Sequence, residues 1–212
     1  MIFKQIPLGP MQNFTYLIGD EKTKECAIVD IGWNPHELID IAASENLKIT
    51  KIILTHGHFD HIQELNRLAF ETGAEVFFHE DEEAEIQKVI KSNPIRIKKL
   101  KGNDAIKVGS IEIKIIHTPG HTRGAICLLF NEKLITGDTL FVGAIGRTDL
   151  PGGDAAVLFE SLQKIKKLED DVEIYPGHNY GDAPFSTVGN EKKNNPYLKP
   201  KTKKEFLELL GQ

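Results

Sequence analysis

The chain has 212 residues, of which 40% are hydrophobic and 27% are charged, and its formal net charge at pH 7 is −5. An acidic chain is a poor partner for nucleic-acid phosphates, and no apolar run approaches the roughly 20 residues that cross a bilayer. The two cysteines, Cys26 and Cys127, exclude a disulfide framework and any site of four thiolates. We therefore expect one globular domain over residues 1–212, in the cytoplasm, with neither nucleic acid nor membrane as a partner.

Short apolar runs predict eight strands, several of them rich in β-branched residues. In chain order they cover residues 13–18, 27–30, 51–55, 75–79, 111–117, 125–130, 133–136 and 173–175. Gly109 and Ser110 between two apolar stretches predict a tight hairpin turn, because glycine supplies a positive φ at no steric cost. Asn131 and Glu132 form a second candidate turn, between the sixth and seventh of these strands.

Three helices are indicated by their first turns. Asn34, followed by Pro35 and Glu37, predicts a capped helix start. A second helix is expected after Asp154, and a third near Thr202. The apolar sides expected for these two helices are Val157, Leu158, Ser161, Leu162, Ile165 and Leu168 for the second, and Phe206, Leu209 and Leu210 for the third. Strands mixed with hairpins and helices indicate a layered α/β or α+β domain.

Three of the eight histidines fall within six residues, in the segment His56-Gly57-His58-Phe59-Asp60-His61. Solvated loop histidines are the plainer explanation, but a His-x-His-x-Asp-His spacing rarely arises by chance. Imidazole and carboxylate together suit zinc, iron or manganese, and the lack of thiolate in the segment argues against softer metals. The segment therefore predicts a metal site.

Four polar groups follow predicted strands directly. The histidine segment comes after the apolar residues 52–54, His121 after Pro119-Gly120, Asp138 after Gly137, and His178 after Pro176-Gly177. Loops that leave one layer of strands can meet at a common edge and leave room for a ligand. We therefore expect these side chains to converge.

The other histidines have structural explanations. His117 lies within a predicted strand, on the side of its isoleucines, so we interpret it as a packed or supporting residue and prefer His121 as the ligand. His79 precedes the acidic residues 80–83, which we interpret as a solvated helix start. His36 falls in the first turn of a helix and is predicted to lie on the surface.

Taken together, these motifs resemble the metallo-β-lactamase superfamily along nearly the whole chain. The resemblance implies an α/β (α+β) fold, a four-layer αββα sandwich with metals at one edge of its two sheets. It implies two divalent metal ions, for which we favour zinc, with iron and manganese as alternatives. The implied ligands are His56, His58 and His121 for the first metal, Asp60, His61 and His178 for the second, and Asp138 as a bridge between them.

Within the superfamily the chain most resembles glyoxalase II, the hydroxyacylglutathione hydrolases, and their shorter bacterial relatives. Residues 137–141, residues 146–149 and the tail 186–198 carry this resemblance. Full-length glyoxalase II has a C-terminal helical domain that contacts glutathione, and we expect no such domain here. By resemblance Arg147, which replaces a lysine of that family, and Tyr180 are substrate contacts; an ion pair with Asp149 is the structural alternative for Arg147.

The resemblance implies that a metal-bound hydroxide attacks a thioester such as S-lactoylglutathione, a small-molecule substrate that is a glutathione conjugate. Asp60 and Asp138 are the implied catalytic carboxylates, and Cys127 is interpreted as a small core residue, not a nucleophile. Three alternatives stay open. A persulfide dioxygenase, by resemblance, binds one iron through His56, His121 and Asp138; a lactonase opens a cyclic ester; and a non-catalytic module only binds metal, although structural zinc usually needs four ligands.

Overall fold

A computed structural model describes residues 1–90 and 95–212 of the chain. The first of its two large sheets has six strands, in the order in which they occur in the sequence. They are β1 (Ile2–Leu8), β2 (Asn13–Asp20), β3 (Glu25–Val29), β4 (Lys48–Ile53), β5 (Glu75–His79) and β6 (Ile97–Leu100). The first three strands pair antiparallel, and β3 to β6 pair parallel, so that β3, β4, β5 and β6 all end at one edge.

The second sheet also has six strands, and a small hairpin stands beside it. In chain order the elements are β7 (Ala105–Val108), β8 (Ile111–His117), β9 (Ile126–Phe130), β10 (Lys133–Gly137), the hairpin β11 (Leu140–Phe141) and β12 (Ala144–Ile145), β13 (Glu173–Pro176) and β14 (Ser186–Thr187). The spatial order is β14-β13-β10-β9-β8-β7. β10 pairs parallel with β13, and the other neighbours pair antiparallel.

Helices cover the outer faces of both sheets. They are α1 (Pro35–Ser44), α2 (Phe59–Ile62), α3 (Leu65–Thr72), α4 (Glu83–Val89), α5 (Ala155–Ile165), α6 (Val188–Asn194) and α7 (Lys203–Leu209), with 3-10 turns at Glu80–Glu82 and Pro196–Leu198. Within residues 1–90 and 95–212, no helix combines the length and the apolar character that crossing a membrane requires.

Three apolar clusters define the layers. The first packs Leu38 of α1 and Leu68 of α3 against the first sheet. The second lies between the two sheets and is lined by strand residues from both. The third packs Leu158 of α5 and Phe206 of α7 against the second sheet. Because strand side chains alternate between faces, each sheet contributes to two clusters, and the predicted αββα sandwich is confirmed.

All eight predicted strands are present, with ends that differ by up to three residues. The hairpin at Gly109, whose φ is 56°, joins β7 to β8, and Asn131 and Glu132 form the second turn with φ values of 41° and 61°. The strands that the sequence analysis did not name include the edge strands β1, β6 and β14. Edge strands are often short or interrupted by charge or proline, which weakens the apolar signal; Pro7 lies in β1, and Lys98 and Lys99 lie in β6.

The two later predicted helix starts are confirmed, and each has a side-chain cap. Asp154 accepts a hydrogen bond from the Val157 amide at 2.9 Å, and Thr202 accepts one from the Glu205 amide at 3.2 Å. The helix predicted after Asn34 does begin at Pro35, but the predicted side-chain cap is wrong, because Asn34 takes a left-handed conformation (φ 47°) from which its side chain makes no capping hydrogen bond.

The apolar faces expected of α5 and α7, the second and third predicted helices, need two corrections. Leu158 and Phe206 are buried as predicted, but Val157 is 37% exposed and Leu209 is 49% exposed. Each of these two residues lies on the outer side of its helix, because one helix face alone can contact the sheet beneath it.

Candidate metal centre

The strand directions place the ends of several strands at one edge of the sandwich. β10 and β13 pair parallel, so Asp138 and His178, which follow them, both lie at this edge. β8 runs the same way as β10, since both are antiparallel to β9, and the loop after β8 carries His121. In the facing sheet the segment after β4 carries His56. The Ile126 amide donates to the Thr55 carbonyl at 2.9 Å, which joins the two sheets beside the site.

Two of the groups of potential metal ligands at this edge match the two sets that the sequence analysis named. In the first, donor atoms of His56, His58 and His121 all lie within 4.8 Å of one another, and His58 Nδ1 is 2.9 Å from His121 Nε2. In the second, the same holds for Asp60, His61 and His178, and the Nε2 atoms of its two histidines are 3.0 Å apart. Each group has the size that one cation needs.

Asp138 lies between the two groups. Its Oδ2 is 4.0 Å from His56 Nε2 and 3.6 Å from His121 Nε2, in the first group. The same oxygen is 3.3 Å from His178 Nε2, and Oδ1 is 3.5 Å from His61 Nε2, in the second group. The structure therefore brings together all seven side chains that the sequence analysis singled out as metal ligands.

The other ring nitrogen of four histidines is occupied by an acceptor away from the centre. His61 Nδ1 donates to Asp30 Oδ2 at 2.9 Å, and His121 Nδ1 donates to the Arg147 carbonyl at 2.7 Å. His178 Nδ1 donates to the Met11 carbonyl at 2.9 Å. His56 Nδ1 lies 3.0 Å from Thr55 Oγ1, whose own proton goes to Asp30. Each Nε2 is thereby left facing the centre, the arrangement typical of metal-bound imidazole.

Two buried atoms at the centre lack a hydrogen-bond partner among the described residues. They are His56 Nε2 and Asp138 Oδ1. A buried polar atom without a partner is costly, and here an imidazole nitrogen and a carboxylate oxygen share one pocket. Nitrogen and oxygen donors of this kind fit a divalent cation such as zinc or iron.

The ionisable groups of the centre influence one another strongly. Burial, together with the neighbouring histidines, holds the pKa of His56 well below its usual value, and burial and His121 lower the pKa of His58 to about 4. Burial has the same tendency at His178, but its hydrogen bonds to Asp138 and Asp60 outweigh burial and raise its pKa to about 10. His56 and His58 are thus held as neutral imidazoles, the form that binds metal, whereas a cation bound by His178 replaces a proton.

A further potential group is formed by His79, Asp81 and His117. The rings of His79 and His117 are stacked, with centroids 3.9 Å apart and planes 15° apart. An imidazole lone pair lies in the plane of its ring, so two parallel rings cannot both point at one ion. His117 instead donates from Nε2 to the Arg123 carbonyl at 2.9 Å, which agrees with a packed or supporting role.

The interpretation of residues 79–83 as a solvated helix start is wrong in part. His79 is 4% exposed and accepts the Asp81 amide at 3.3 Å, so it caps the 3-10 turn from a buried position. Glu82 is also buried. A run of acidic residues gives no sign of which member turns inward. His36 lies on the surface and Cys127 in the core, as predicted.

The model of the metallo-beta-lactamase superfamily matches residues 8–178, which includes all seven side chains. The chain belongs to this superfamily. The superfamily is one of metal-dependent hydrolases, and its members bind divalent metals.

The chain is also similar to individual proteins, of which three are described. The hydroxyacylglutathione hydrolase GloC of Haemophilus influenzae is 34% identical over 93% of this chain and 98% of its own length. PksB of Bacillus subtilis, a probable polyketide biosynthesis zinc-dependent hydrolase, is 28% identical over 93% of this chain and 86% of its own length. The crystal structure of ETHE1 from Myxococcus xanthus superposes with a TM-score of 0.89, at 30% identity, and covers 100% of this chain and 91% of that one.

Arg147 and Tyr180, the two residues expected to contact substrate, are exposed at the rim of the metal centre. Tyr180 is 53% exposed and stacks on His178, with ring centroids 4.6 Å apart. The guanidinium of Arg147 donates two hydrogen bonds of 2.7 Å to the carboxylate of Asp149. The ion pair named as the alternative for Arg147 is therefore present, and it uses two of the five N–H donors of the guanidinium.

Two supporting residues were not recognised in the sequence. Asp30 binds His61 and the amide and hydroxyl of Thr55, and it could have been found, because it follows the apolar residues of β3 as the other site residues follow their strands. Asn13 donates from Nδ2 to Asp60 Oδ2 at 2.9 Å and accepts from Trp33 Nε1 at 3.1 Å. Nothing in the sequence around Asn13 indicates this contact.

Replacing Asn13 with alanine should weaken metal binding by the group of Asp60, His61 and His178. Loss of a partner that orients a ligand typically costs about 10–100-fold in metal affinity. Titration of metal-free protein with Zn²⁺ in a calorimeter measures the effect. Asn194→Ala, at an exposed position of α6, is the matched control, and equal affinities in the two variants would contradict the role given to Asn13.

Proposed function

We propose that this chain is a binuclear metal-dependent hydrolase of the glyoxalase II type, which cleaves a small thioester such as S-lactoylglutathione. The convergence of seven donor side chains, four of them imidazoles with the second nitrogen tied to an acceptor, is the observation that carries the proposal. The similarity to GloC supports the thioester substrate. The zinc-dependent hydrolase PksB supports zinc as the metal, with iron and manganese as alternatives.

In this proposal His56, His58 and His121 hold one cation, and Asp60, His61 and His178 hold the other. Asp138, which lies within 4.0 Å of histidines from both groups, bridges them. Asp60 and Asp138 contribute two negative charges against the four positive charges of two divalent ions. The centre therefore stays positive and attracts a carbonyl oxygen or an anion, although the chain as a whole is acidic.

When bound, such cations lower the pKa of water from about 15.7 to near 7 and polarise a carbonyl group. The protein residues position the reactants. Asn13 and His178 hold the carboxylate of Asp60 in place. This carboxylate orients the attacking water and assists the transfer of its proton. Tyr180 on the rim contacts the thiol portion of the substrate, and Arg147 does so through the N–H groups that do not bind Asp149.

No side-chain nucleophile is required in this reaction. Cys127 is buried in the third apolar cluster, and burial raises the pKa of its thiol to about 11. Cys26 lies in the first cluster, where burial raises the pKa of its thiol to about 12. A thiol with so high a pKa carries little thiolate at neutral pH. The proposed hydrolysis therefore proceeds without a covalent acyl-enzyme.

A persulfide dioxygenase is the second candidate, and the similarity to ETHE1 supports it. His56 and His121 both lie within 4.0 Å of the Asp138 carboxylate. Two histidines and one carboxylate around open positions are the ligand set of mononuclear iron oxygenases. The same side chains thus serve either candidate, and the number and kind of metal ions separate them.

Metal analysis together with a substrate panel tests the proposal. We expect about two equivalents of metal per chain, hydrolysis of S-lactoylglutathione, and loss of this activity on chelation with recovery on metal return. One iron per chain with oxygen uptake on glutathione persulfide would replace the proposal by the second candidate. Hydrolysis confined to cyclic esters would indicate a lactonase, and metal without turnover of any substrate would indicate a binding module. Full activity after metal removal would refute the metal-dependent mechanism.

A further inference from the structure

The acidic run after β5 contains one buried carboxylate. Glu82 is 3% exposed, whereas Glu80 and Asp81 beside it are exposed. Glu82 also stands at the N-cap position of α4, where a short polar side chain such as aspartate ordinarily accepts a hydrogen bond from the first turn of the helix. Its side chain makes no such bond. The carboxylate is instead directed toward two other loops.

The first loop is the one that carries His121. Glu82 Oε1 accepts hydrogen bonds from Thr122 Oγ1 at 2.5 Å and from the Gly124 amide at 2.7 Å. Thr122 directly follows His121 in the sequence. Oε1 accepts both hydrogen bonds, so this carboxylate holds the loop at two points.

The second loop is the one that carries His56 and His58. Gly57, between these two histidines, packs so closely on Glu82 that a Cβ at this position would lie 2.4 Å from Oε2. A Cβ at Gly124 would lie 2.6 Å from Glu82 Cγ. Each loop therefore has a glycine where it meets the carboxylate. All three histidines of the first ligand group are sequence neighbours of residues that contact Glu82.

We propose that Glu82 is a positioning residue for the first metal pocket, where it fixes the loop of His121 against the loop of His56 and His58. This inference rests on the ligand assignment of the proposed function. The three histidines reach the pocket from two separate stretches of chain, so the distance between these two loops sets the size of the pocket. Loss of such outer support typically weakens metal binding by about 10–100-fold.

Titration of metal-free protein with Co²⁺, followed by visible absorbance and calorimetry, tests the role of Glu82 without an activity assay. His121→Ala and His178→Ala identify which of two binding steps belongs to which pocket. We expect Glu82→Ala to weaken the step that His121→Ala abolishes by about 10–100-fold and to leave the other step within threefold. Glu80→Gln, an exposed neighbour, is the matched control and should bind as the wild type does.

Two further variants distinguish positioning of the loops from a purely electrostatic effect of the Glu82 carboxylate. Glu82→Gln keeps an oxygen that accepts from Thr122 and Gly124, so it should retain affinity within threefold of wild type. Thr122→Val removes the hydroxyl donor at nearly constant shape, and its loss of affinity should combine less than multiplicatively with that of Glu82→Ala, because the two residues share one hydrogen bond.

The outcomes distinguish this inference from the proposed function. Two Co²⁺ steps of unchanged affinity in Glu82→Ala, or equal weakening of both steps, would overturn the positioning role while the binuclear centre stands. Equal losses in Glu82→Ala and Glu82→Gln would overturn it in favour of a purely electrostatic contribution. A wild-type protein that binds no Co²⁺ would overturn both. If Glu82→Ala does not fold, Glu82→Gln and Thr122→Val decide, and unchanged affinity in Thr122→Val would contradict the inference.

Discussion

Replacement of Asp138 with alanine is expected to remove most of the bound metal and nearly all turnover. The reason is its position, since its carboxylate is within 4.0 Å of four histidines that belong to both pockets. Burial raises the pKa of Asp138, but the positive charge of His61 and its contacts with His178 prevail and hold this pKa below the ordinary value. The carboxylate is therefore ionised at neutral pH, and its loss removes a charge that both cations share.

Metal affinity should fall by more than about 100-fold in Asp138→Ala, because removal of a direct ligand exceeds the cost of removing an outer partner. Metal analysis after gel filtration, together with the rate of thioester hydrolysis, measures the effect. Asp40→Ala, at an exposed position of α1, is the matched control and should retain metal and rate within twofold. Retained turnover in a folded Asp138→Ala protein would contradict the bridging role.

Replacement of Phe206 with alanine is expected to produce the largest loss of stability among the changes considered. Phe206 is fully buried in α7, and its ring lies 5.5 Å from that of Phe159 in α5. Truncation of a buried phenylalanine leaves a cavity and costs about 3–5 kcal/mol. Urea unfolding of the metal-free protein measures the change in the free energy of unfolding, because bound metal would add its own stabilisation.

Leu209→Ala, three residues along the same helix, is the control for this measurement. Leu209 is 49% exposed, so its truncation should change the free energy of unfolding by less than about 0.5 kcal/mol. Phe206→Leu keeps most of the buried volume and should cost less than Phe206→Ala. Similar losses in Phe206→Ala and Leu209→Ala would mean that α7 does not pack through the face described here.

All eight predicted strands are interior strands of the two sheets, and the contrast with the strands that were not named has a physical basis. An interior strand such as β9 is buried on both faces, so its sequence is a continuous apolar run. The strands that were not named include three that form sheet edges, where Pro7 in β1 and the lysines of β6 interrupt the run. β7, at the fourth edge, was implied only by the turn at Gly109. Position in a sheet is a tertiary property, and it changes the composition on which a strand prediction depends.

The donor residues of the centre could be predicted because each follows an apolar strand and the chemistry of metals restricts the residue types. His56, His121, Asp138 and His178 all satisfy both conditions. Asp30 also follows a strand, but it was taken as the last residue of that strand, and its hydrogen bond to His61 became evident only in the structure. The position of Asp30 directly after an apolar strand was therefore a sufficient signal in the sequence.

Asn13 and Glu82 are different, because their neighbours in the sequence carry no signal for their contacts. Asn13 reaches Asp60, 47 residues away, from the start of β2. Glu82 reaches Thr122 and Gly124, about 40 residues away, from within a run of four acidic residues. The sequence alone determined the residue types of the centre and their position at the ends of strands. The packing of two sheets against each other decided which distant side chains support them, because such contacts depend on how the two layers align and not on any local pattern.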